Sequence, residues 1–292
     1  MNQTNRDEIL RSLDAIKDLP TLPQVVSKLQ EEMASPGASA GTVSEIIGGD
    51  PAISIKTLKV ANSPLYGLGR KVTDIRDAVR ILGLKEVYNI VMSMSTLNLF
   101  KEAGHIDYKQ FWRHCLSVAF ATKAIFEFTG EMERPVERED LADLFIAGLL
   151  HDIGILVLDQ YMPELYDKVL KEISELEDVP LYGVEYELLG ISHCEVGEFL
   201  MNKWNIPTHI ATAVAFHHRS EAITCKRELT DIIHIADFIC NNQGLDNGLG
   251  VPPTSFSDEA WSNLNLSIED IEVIIDKVRL ESENSAIFMA LA

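Results

Sequence analysis

Apolar residues recur along this chain with the spacing of helix faces, and the breaks between segments carry helix start and stop signals. Asp50-Pro51 sets a capping side chain before a proline suited to the first helical position. The helix it opens runs through 53-ISIKTLKVA-61, and Asn62-Ser63-Pro64 stops it. Thr73-Asp74 begins another, 74-DIRDAVRIL-82, which Gly83 closes. In the following 84-LKEVYNIVMSMSTLNLF-100, Val87, Ile90, Val91 and Met94 share one face. In 111-FWRHCLSVAFATKAIF-126 the stripe is Phe111, His114, Val118, Thr122 and Ile125. No run of four to eight residues alternates cleanly between turn signals, so the pattern predicts an all-α fold. No internal repeat is evident.

The segment from Gly104 to Lys109 reads as a joint between two helical lobes. No histidine precedes His105, and the remaining seven all follow it, so metal chemistry is expected in the second lobe. The first lobe, poor in convergent polar groups, reads as a binding or regulatory surface. Acidic 131-EMERPVERED-140 is expected to be a solvated connection, and 241–257, with its Gly and Pro, a second long loop.

Composition narrows the function class. Apolar residues make up 46% and charged residues 24%, ordinary for a soluble globular protein. The N-terminal MNQTNRDEIL has no apolar core of a secretory signal. The most apolar stretch, Leu144 to Leu158, is too short to span a bilayer and is interrupted by His151 and Asp152. A cytoplasmic protein without membrane association is expected. Cys115, Cys194, Cys225 and Cys240 form no CxxC pair and read as reduced core thiols. A net charge of -20 repels nucleic-acid backbone and anionic lipid, so no nucleic-acid partner is expected. An anionic substrate would need a metal to reverse the local potential.

Candidate chemistry gathers on five helices after residue 106. Leu141, Leu144, Phe145 and Gly148 lead inward to His151 and Asp152, which stand in a segment otherwise apolar enough to be core. Adjacent residues on one continuous helix lie about 100° apart, so these two are expected to flank a pocket rather than point the same way. Ser192 and Glu195 have capping-box spacing, which puts His193 in the first turn of a helix above Val196, Gly197, Leu200 and Trp204. The helix opened by Pro207 ends in His217-His218. In 231-DIIHIADFIC-240, Ile233, Ala236, Asp237 and Cys240 share a face, and His234 points elsewhere. The set His114, His151, Asp152, His193, His217, His218 and Asp237 suits a mixed nitrogen and oxygen site for one or two divalent transition metals, Fe, Mn, Zn or Ni. Asp152 is the carboxylate suited to bridge two ions and the candidate catalytic residue. The plain alternative is a satisfied polar core without metal. His105, His209 and His234 lack the inward spacing and read as surface or loop residues; Trp112 and Trp204 read as core.

The spaced His…HD…Asp pattern resembles the HD superfamily of metal-dependent phosphohydrolases, and most of the chain resembles its HDOD family. The residues that carry this are 19-LPTLP-23, Asp50-Pro51, 61-ANSPLYG-67, 78-AVRILGLKEV-87, 147-AGLLHDIG-154, 189-LGISHCEVGEFLMNKWNIP-207, 217-HH-218 and 235-IAD-237. The resemblance implies a bacterial signalling module with an HDOD domain over 19–218, made of an N-terminal helical lobe (19–105) packed on an HD-like lobe that begins over 106–218. Helices in 219–292 would complete the HD-like lobe. By similarity to the HD-GYP branch, which hydrolyses cyclic di-GMP, the seven residues named above align with ligands of a dinuclear centre, Asp152 bridging. Two departures stand out. Ile155 occupies the place of a phosphate-contacting Lys, and 217-HHRSEAITCKREL-229 replaces the GYP stretch. Arg219 is the nearest substitute for the missing cation. The family resemblance therefore implies a binding module with protein partners in a signalling pathway, and with a nucleotide or cyclic dinucleotide as a compatible ligand. The alternative it implies is a metal-dependent phosphohydrolase acting on a phosphomonoester or cyclic dinucleotide.

Overall fold

A computed structural model of the chain describes residues 3–100, 104–130, 140–176, 179–223, 227–250 and 256–291. Among them there are helices, turns and loops and no strand, so the fold is all-α. The chain divides into two compact units, one of residues 20–100 with 280–292 and a larger one of 1–19 with 101–279. The expected acidic connection at 131–139, residues 251–255 of the second loop, and Cys225 lie outside the described residues.

Helix α1 (Gln3–Ala15) belongs to the larger unit. The smaller unit follows, with α2 (Gln24–Met33), α3 (Ala40–Gly48), α4 (Pro51–Ala61), α5 (Ile75–Leu82) and α6 (Leu84–Thr96). Its boundaries follow the punctuation in the sequence. Asp50 caps α4 by accepting from the N–H groups of Ala52 and Ile53, and Asp74 caps α5 by accepting from Asp77 N–H. Gly83 ends α5 at φ +92°, a conformation that a side chain would strain. α6 stops at Thr96, four residues before the end of the apolar segment, and the chain turns through 97–100. The turn after α4 is held by one side chain. Asn62 donates through Nδ2 to the carbonyls of Leu58 and Val72 (2.7 and 2.8 Å) and accepts from Val72 N–H through Oδ1 (2.7 Å).

The larger unit continues with α7 (Tyr108–Gly130), α8 (Asp140–Leu150), α9 (Ile153–Tyr161), α10 (Pro163–Ser174), α11 (Leu181–Leu189), α12 (His193–Lys203), α13 (Thr208–Phe216), α14 (Arg227–Asn242), α15 (Asp258–Asn263) and α16 (Ile268–Leu291). The division between units falls inside α16, after Arg279. α7 lies against α8 and α14, α12 against α9 and α13, and α13 against α8 and α14. Val118, Ile125, Leu144, Ile232, Ile235, Ile239, Leu264 and Ile274 form a core shared by α7, α8, α14, α15 and α16. Each such side chain contributes roughly 1.5–3 kcal/mol by leaving water. The stripe on α7 is buried throughout, and Trp112 and Trp204 are core residues.

Two glycines set the closest backbone-to-backbone approaches. A methyl group on Gly148 would lie 2.8 Å from Ala119 Cα, so α7 and α8 touch through backbone there. A methyl group on Gly154 would overlap the carbonyl of His193 and fall 2.7 Å from Gly197 N. α9 and α12 therefore approach backbone to backbone at Gly154, two residues beyond Asp152 and against the carbonyl of His193.

Candidate metal centre

His151 and Asp152 do not lie on one continuous helix. α8 ends at Leu150 and α9 begins at Ile153, and Asp152 occupies the intervening turn at φ -98°, ψ 6°. The expectation that the two side chains diverge by a helical step is corrected for this reason. The turn swings both into one pocket, with His151 Nε2 3.4 Å from Asp152 Oδ2.

The pocket brings all seven candidate residues together. α7 supplies His114, the α8–α9 turn His151 and Asp152, the first turn of α12 His193, the end of α13 His217 and His218, and α14 Asp237. Two groups form around the two oxygens of Asp152. On the Oδ2 side, His114 Nε2 is 3.2 Å from His151 Nε2, 3.2 Å from Asp237 Oδ1 and 3.7 Å from Asp152. His151 Nε2 is 3.6 Å from Asp237 Oδ1. On the Oδ1 side, His193 Nε2 lies 3.4 Å and His217 Nε2 3.7 Å from Asp152, and His218 Nε2 is 3.1 Å from His193 Nε2. Apart from half-buried His218, these residues are at most 3% exposed.

The outer ring nitrogens determine what the inner ones can do. Nδ1 of His114 faces the carbonyl of Leu245 (2.6 Å), that of His151 the carbonyl of Gly148 (2.8 Å), and that of His217 the carbonyl of Val214 (2.7 Å). Nδ1 of His193 faces Glu185 Oε2 at 2.6 Å. Carbonyl and carboxylate oxygens only accept, so each Nδ1 carries its hydrogen and donates it. A neutral ring then turns the lone pair of Nε2 into the pocket. His217 Nε2 is buried and has no hydrogen-bond partner among the described residues. Four imidazole Nε2 atoms converge on a shared carboxylate, and outer acceptors fix all four rings. This is how protein side chains are arranged around a cation.

Electrostatics point the same way. Asp152 is buried, which opposes its charge, yet His151, His217 and His193 hold its carboxyl well below the ordinary range. Asp237 is lowered likewise against its burial, by His114 and His151. Burial opposes the charge of His151 too, but Asp152 and Asp237 outweigh it and carry the ring to about 10. His217 rises against burial to about 9, through Cys194 and Asp152. Burial, with His217 and His193 beside it, pushes His218 well below the ordinary range and keeps it neutral. The carboxylates thus stay ionised and draw positive charge inward. The spacing fits a metal as the carrier of that charge. Donor bonds of about 2.0–2.1 Å in a tetrahedral shell place neighbouring donors roughly 3.4 Å apart, and the separations above run from 3.1 to 3.7 Å.

Several residues of the centre had no place in the sequence reading. Glu185 of α11 is fully buried; beyond Nδ1 of His193 it accepts from the backbone N–H of His193 at 2.8 Å and from Tyr166 OH at 3.2 Å. A charged residue on the apolar stripe of Leu181, Val184 and Leu189 was its available signal. Asn247 donates to Asp152 Oδ2 at 3.0 Å, a contact for which sequence offers no signal, and Asn241 donates to Asp237 Oδ1 at 2.7 Å, for which the i, i+4 spacing on α14 was the available signal. Cys194 is buried with its sulfur 3.4 Å from His193 Nε2. Burial opposes the thiolate, but His193 and His217 lower the thiol to about 6. Cys115 and Cys240, by contrast, are buried thiols pushed well up by burial.

His234, expected at the surface, is 3% exposed, because all sides of this part of α14 are covered; its Nδ1 faces the carbonyl of His217 at 2.8 Å. His105 and His209 are partly exposed and pair with Asp159 and Asp143. Ile155 is fully buried in α9. Arg219 is held elsewhere, its Nη2 2.7 Å from Tyr186 OH and its guanidinium 5.0 Å above the Tyr186 ring.

Comparison with known proteins bears on the family and the fold. The model of the HDOD domain family matches residues 19–220. A protein of Treponema pallidum is 27% identical over 217 residues, 74% of this chain, and the chain spans 41% of that curated relative's length. The crystal structure of an HDOD domain protein from Geobacter sulfurreducens superposes with a TM-score of 0.79 at 27% identity, covering 99% of this chain and 96% of that one. A Shewanella amazonensis protein provisionally assigned as a metal-dependent phosphohydrolase has the same fold, with a TM-score of 0.63 at 23% identity over 97% of this chain and 99% of its own. Among the described residues no helix is long and apolar enough to cross a membrane.

Proposed function

The chain belongs to the HDOD family, and from that premise we propose that it is a bacterial signalling module whose larger unit holds one or two divalent transition metals, Fe, Mn, Zn or Ni, in the cluster around Asp152. The observation that carries this reading is the set of four imidazoles that donate outward through Nδ1 and turn Nε2 toward one carboxylate. His114, His151, Asp237 and one oxygen of Asp152 would hold one ion; His193, His217, His218 and the other oxygen would hold the second. A metal held this way ties five helical segments together, and its binding energy is also folding energy. In this reading the module would present its folded surface to a partner protein in a signalling pathway, with a nucleotide as a further compatible ligand.

Two features favour a module over an enzyme. Ile155 is packed in the core at the place where a phosphate-contacting cation would be needed, and Arg219 is engaged with Tyr186. A transferring phosphoryl group gains most of its stabilisation from such fixed cations. The second reading, a metal-dependent phosphohydrolase, has one observation of its own. Asp152 divides its two oxygens between the groups, as a carboxylate does between paired cations that activate water and clamp phosphate. In that reading Asp152 is the catalytic candidate, and His218, the half-buried member, lies nearest to solvent.

Metal analysis of the purified chain, followed by assays with phosphomonoesters and cyclic dinucleotides in the presence of Mn²⁺ or Fe²⁺, separates the two. Bound metal without hydrolysis is the expected result. Turnover that disappears in Asp152→Asn would establish the second reading instead. A chain that takes up no metal and gains no thermal stability from any of the four ions would overturn both.

A further inference from the structure

Around Asp152 the two groups of donors differ in chemical character. The Oδ2 side is built from imidazole and carboxylate alone. On the Oδ1 side the sulfur of Cys194 joins the imidazoles of His193, His217 and His218, with their ligand atoms all within 4.8 Å of one another. We infer that Cys194 is a metal ligand, and that the subsite it completes takes a softer cation of the zinc type than the oxygen-richer subsite beside it. This rests on the reading above that the cluster holds divalent metals.

Three observations carry the inference. The first is distance. Zn–S and Zn–N bonds of about 2.3 and 2.0–2.1 Å place sulfur and nitrogen roughly 3.6 Å apart, and two nitrogens roughly 3.3 Å apart, around a tetrahedral ion. The separations here are 3.4 Å for Cys194 Sγ to His193 Nε2 and 3.1 Å for His193 Nε2 to His218 Nε2. The second is an orphaned donor. His217 Nε2 belongs to the same group, is fully buried and has no hydrogen-bond partner among the described residues. Its own Nδ1 is committed to Val214 O, and Asp152 Oδ1 lies 3.7 Å from Nε2, beyond hydrogen-bond reach, so this nitrogen is open to a cation. The third is backbone placement. Cys194 is the second residue of α12, at the positive end of the helix dipole, which favours an anion, here the thiolate that a metal requires.

Sulfur changes which cation is preferred. Thiolate with imidazole selects zinc-like ions, whereas imidazole with two carboxylates suits Mn²⁺ or Fe²⁺ as well. One centre would then hold two unlike metals, sorted by a single side chain.

The test uses the full chain, stripped with chelator and reloaded with Zn²⁺ or Co²⁺. X-ray absorption of the zinc-loaded wild type is expected to show one sulfur scatterer at about 2.3 Å, and the cobalt form a thiolate-to-metal charge-transfer band in the near ultraviolet. Cys194→Ser should abolish that band and weaken zinc at one subsite by at least about tenfold, the lower end of what loss of even an outer partner costs. The variant should keep the ion on the Oδ2 side. Zinc bound through nitrogen and oxygen only, or an unchanged cobalt band in Cys194→Ser, would overturn the inference and leave the metal reading intact. Failure to bind either ion would overturn the metal reading, and the inference with it. The absorption measurement needs no variant, so a folding defect in Cys194→Ser does not remove the test.

Discussion

Asn62 in the smaller unit and Asp152 in the larger one both follow the end of a helix, and their polar atoms are satisfied in opposite ways. Asn62 is engaged with backbone: both ends of its amide reach Leu58 and Val72 and close the turn after α4. Asp50 and Asp74 do the same for the helix starts. Asp152 reaches other side chains instead, four histidines and Asn247, each of which is turned toward it by a further partner or by its place on a helix. Asn62, Asp50 and Asp74 in the smaller unit therefore fix the path of the chain, whereas the residues around Asp152 in the larger unit fix one another. Groups of the first kind are complete when the chain folds. Groups of the second kind leave buried lone pairs and ionised carboxylates that a cation would complete.

The sharpest break of that comparison is Asp152→Ala. It removes the carboxylate common to both groups and leaves buried imidazoles without their anion. We expect loss of both metals and about 3–5 kcal/mol of stability, the usual cost of removing one partner from a buried charged cluster. Metal analysis and calorimetric unfolding check this. Retained metal with an unshifted melting temperature would mean that the pocket is an ordinary polar core.

Next in size is Gly154→Ala. The added methyl overlaps the carbonyl of His193, backbone against backbone, so α12 must move away from α9. The expected cost is about 3 kcal/mol, the upper part of the range for forced overpacking. Weaker metal binding should accompany it, because His193 rides on the displaced carbonyl. If metal affinity stays unchanged while stability falls, the close approach serves packing alone.

Asn62→Ala is the matching change in the smaller unit. Three hydrogen bonds of about 0.5–1.5 kcal/mol each are lost, two of them to groups of Val72. A loss of about 2–3 kcal/mol is expected, with metal content unchanged. Altered metal content would show that the two units are energetically coupled, which the comparison does not require.

How far each kind of residue is legible in sequence follows from the same contrast. Asp50-Pro51, Asp74 and Gly83 act on neighbours within a few positions, and local punctuation sufficed to place α4 and α5. The seven candidate ligands were legible in a weaker sense. Each stood on an apolar face where its polarity needed a partner, and the structure brings those faces to one pocket. What escaped was whatever depends on a contact across the fold or on a break in periodicity. Gly148 and Gly154 flank the helix interruption at His151-Asp152, but neither stands at the break and each serves a close contact with another helix, so the segment reads as continuous. Asn247 reaches Asp152 across 95 positions from within a loop. His234 was assigned to the surface because a periodicity argument allows one buried face, whereas α14 is covered on several sides. Cys194 was read as a packed thiol because burial and metal ligation leave the same mark on a cysteine in sequence.

Glu185→Gln is expected to have the smallest effect on folding and tests the contrast most finely, because Glu185 belongs to both kinds. Its Oε2 accepts from the backbone N–H of His193, as a cap would, and also from Nδ1 of the ring. Glutamine keeps an oxygen for both of these, and its amide can donate to Tyr166 OH where Oε1 now accepts. Geometry and hydrogen bonding are thus preserved and only the charge is lost. Stability of the metal-free protein should change by less than about 1 kcal/mol, within the worth of a single hydrogen bond. Metal affinity should fall by about 10–100-fold, because a ring no longer backed by a carboxylate is a poorer donor. Titration with a competing chelator measures the second quantity and thermal unfolding the first. Should affinity hold and stability fall, Glu185 would be a backbone cap like Asp50, and the line between the two units' polar residues would have to be redrawn around it.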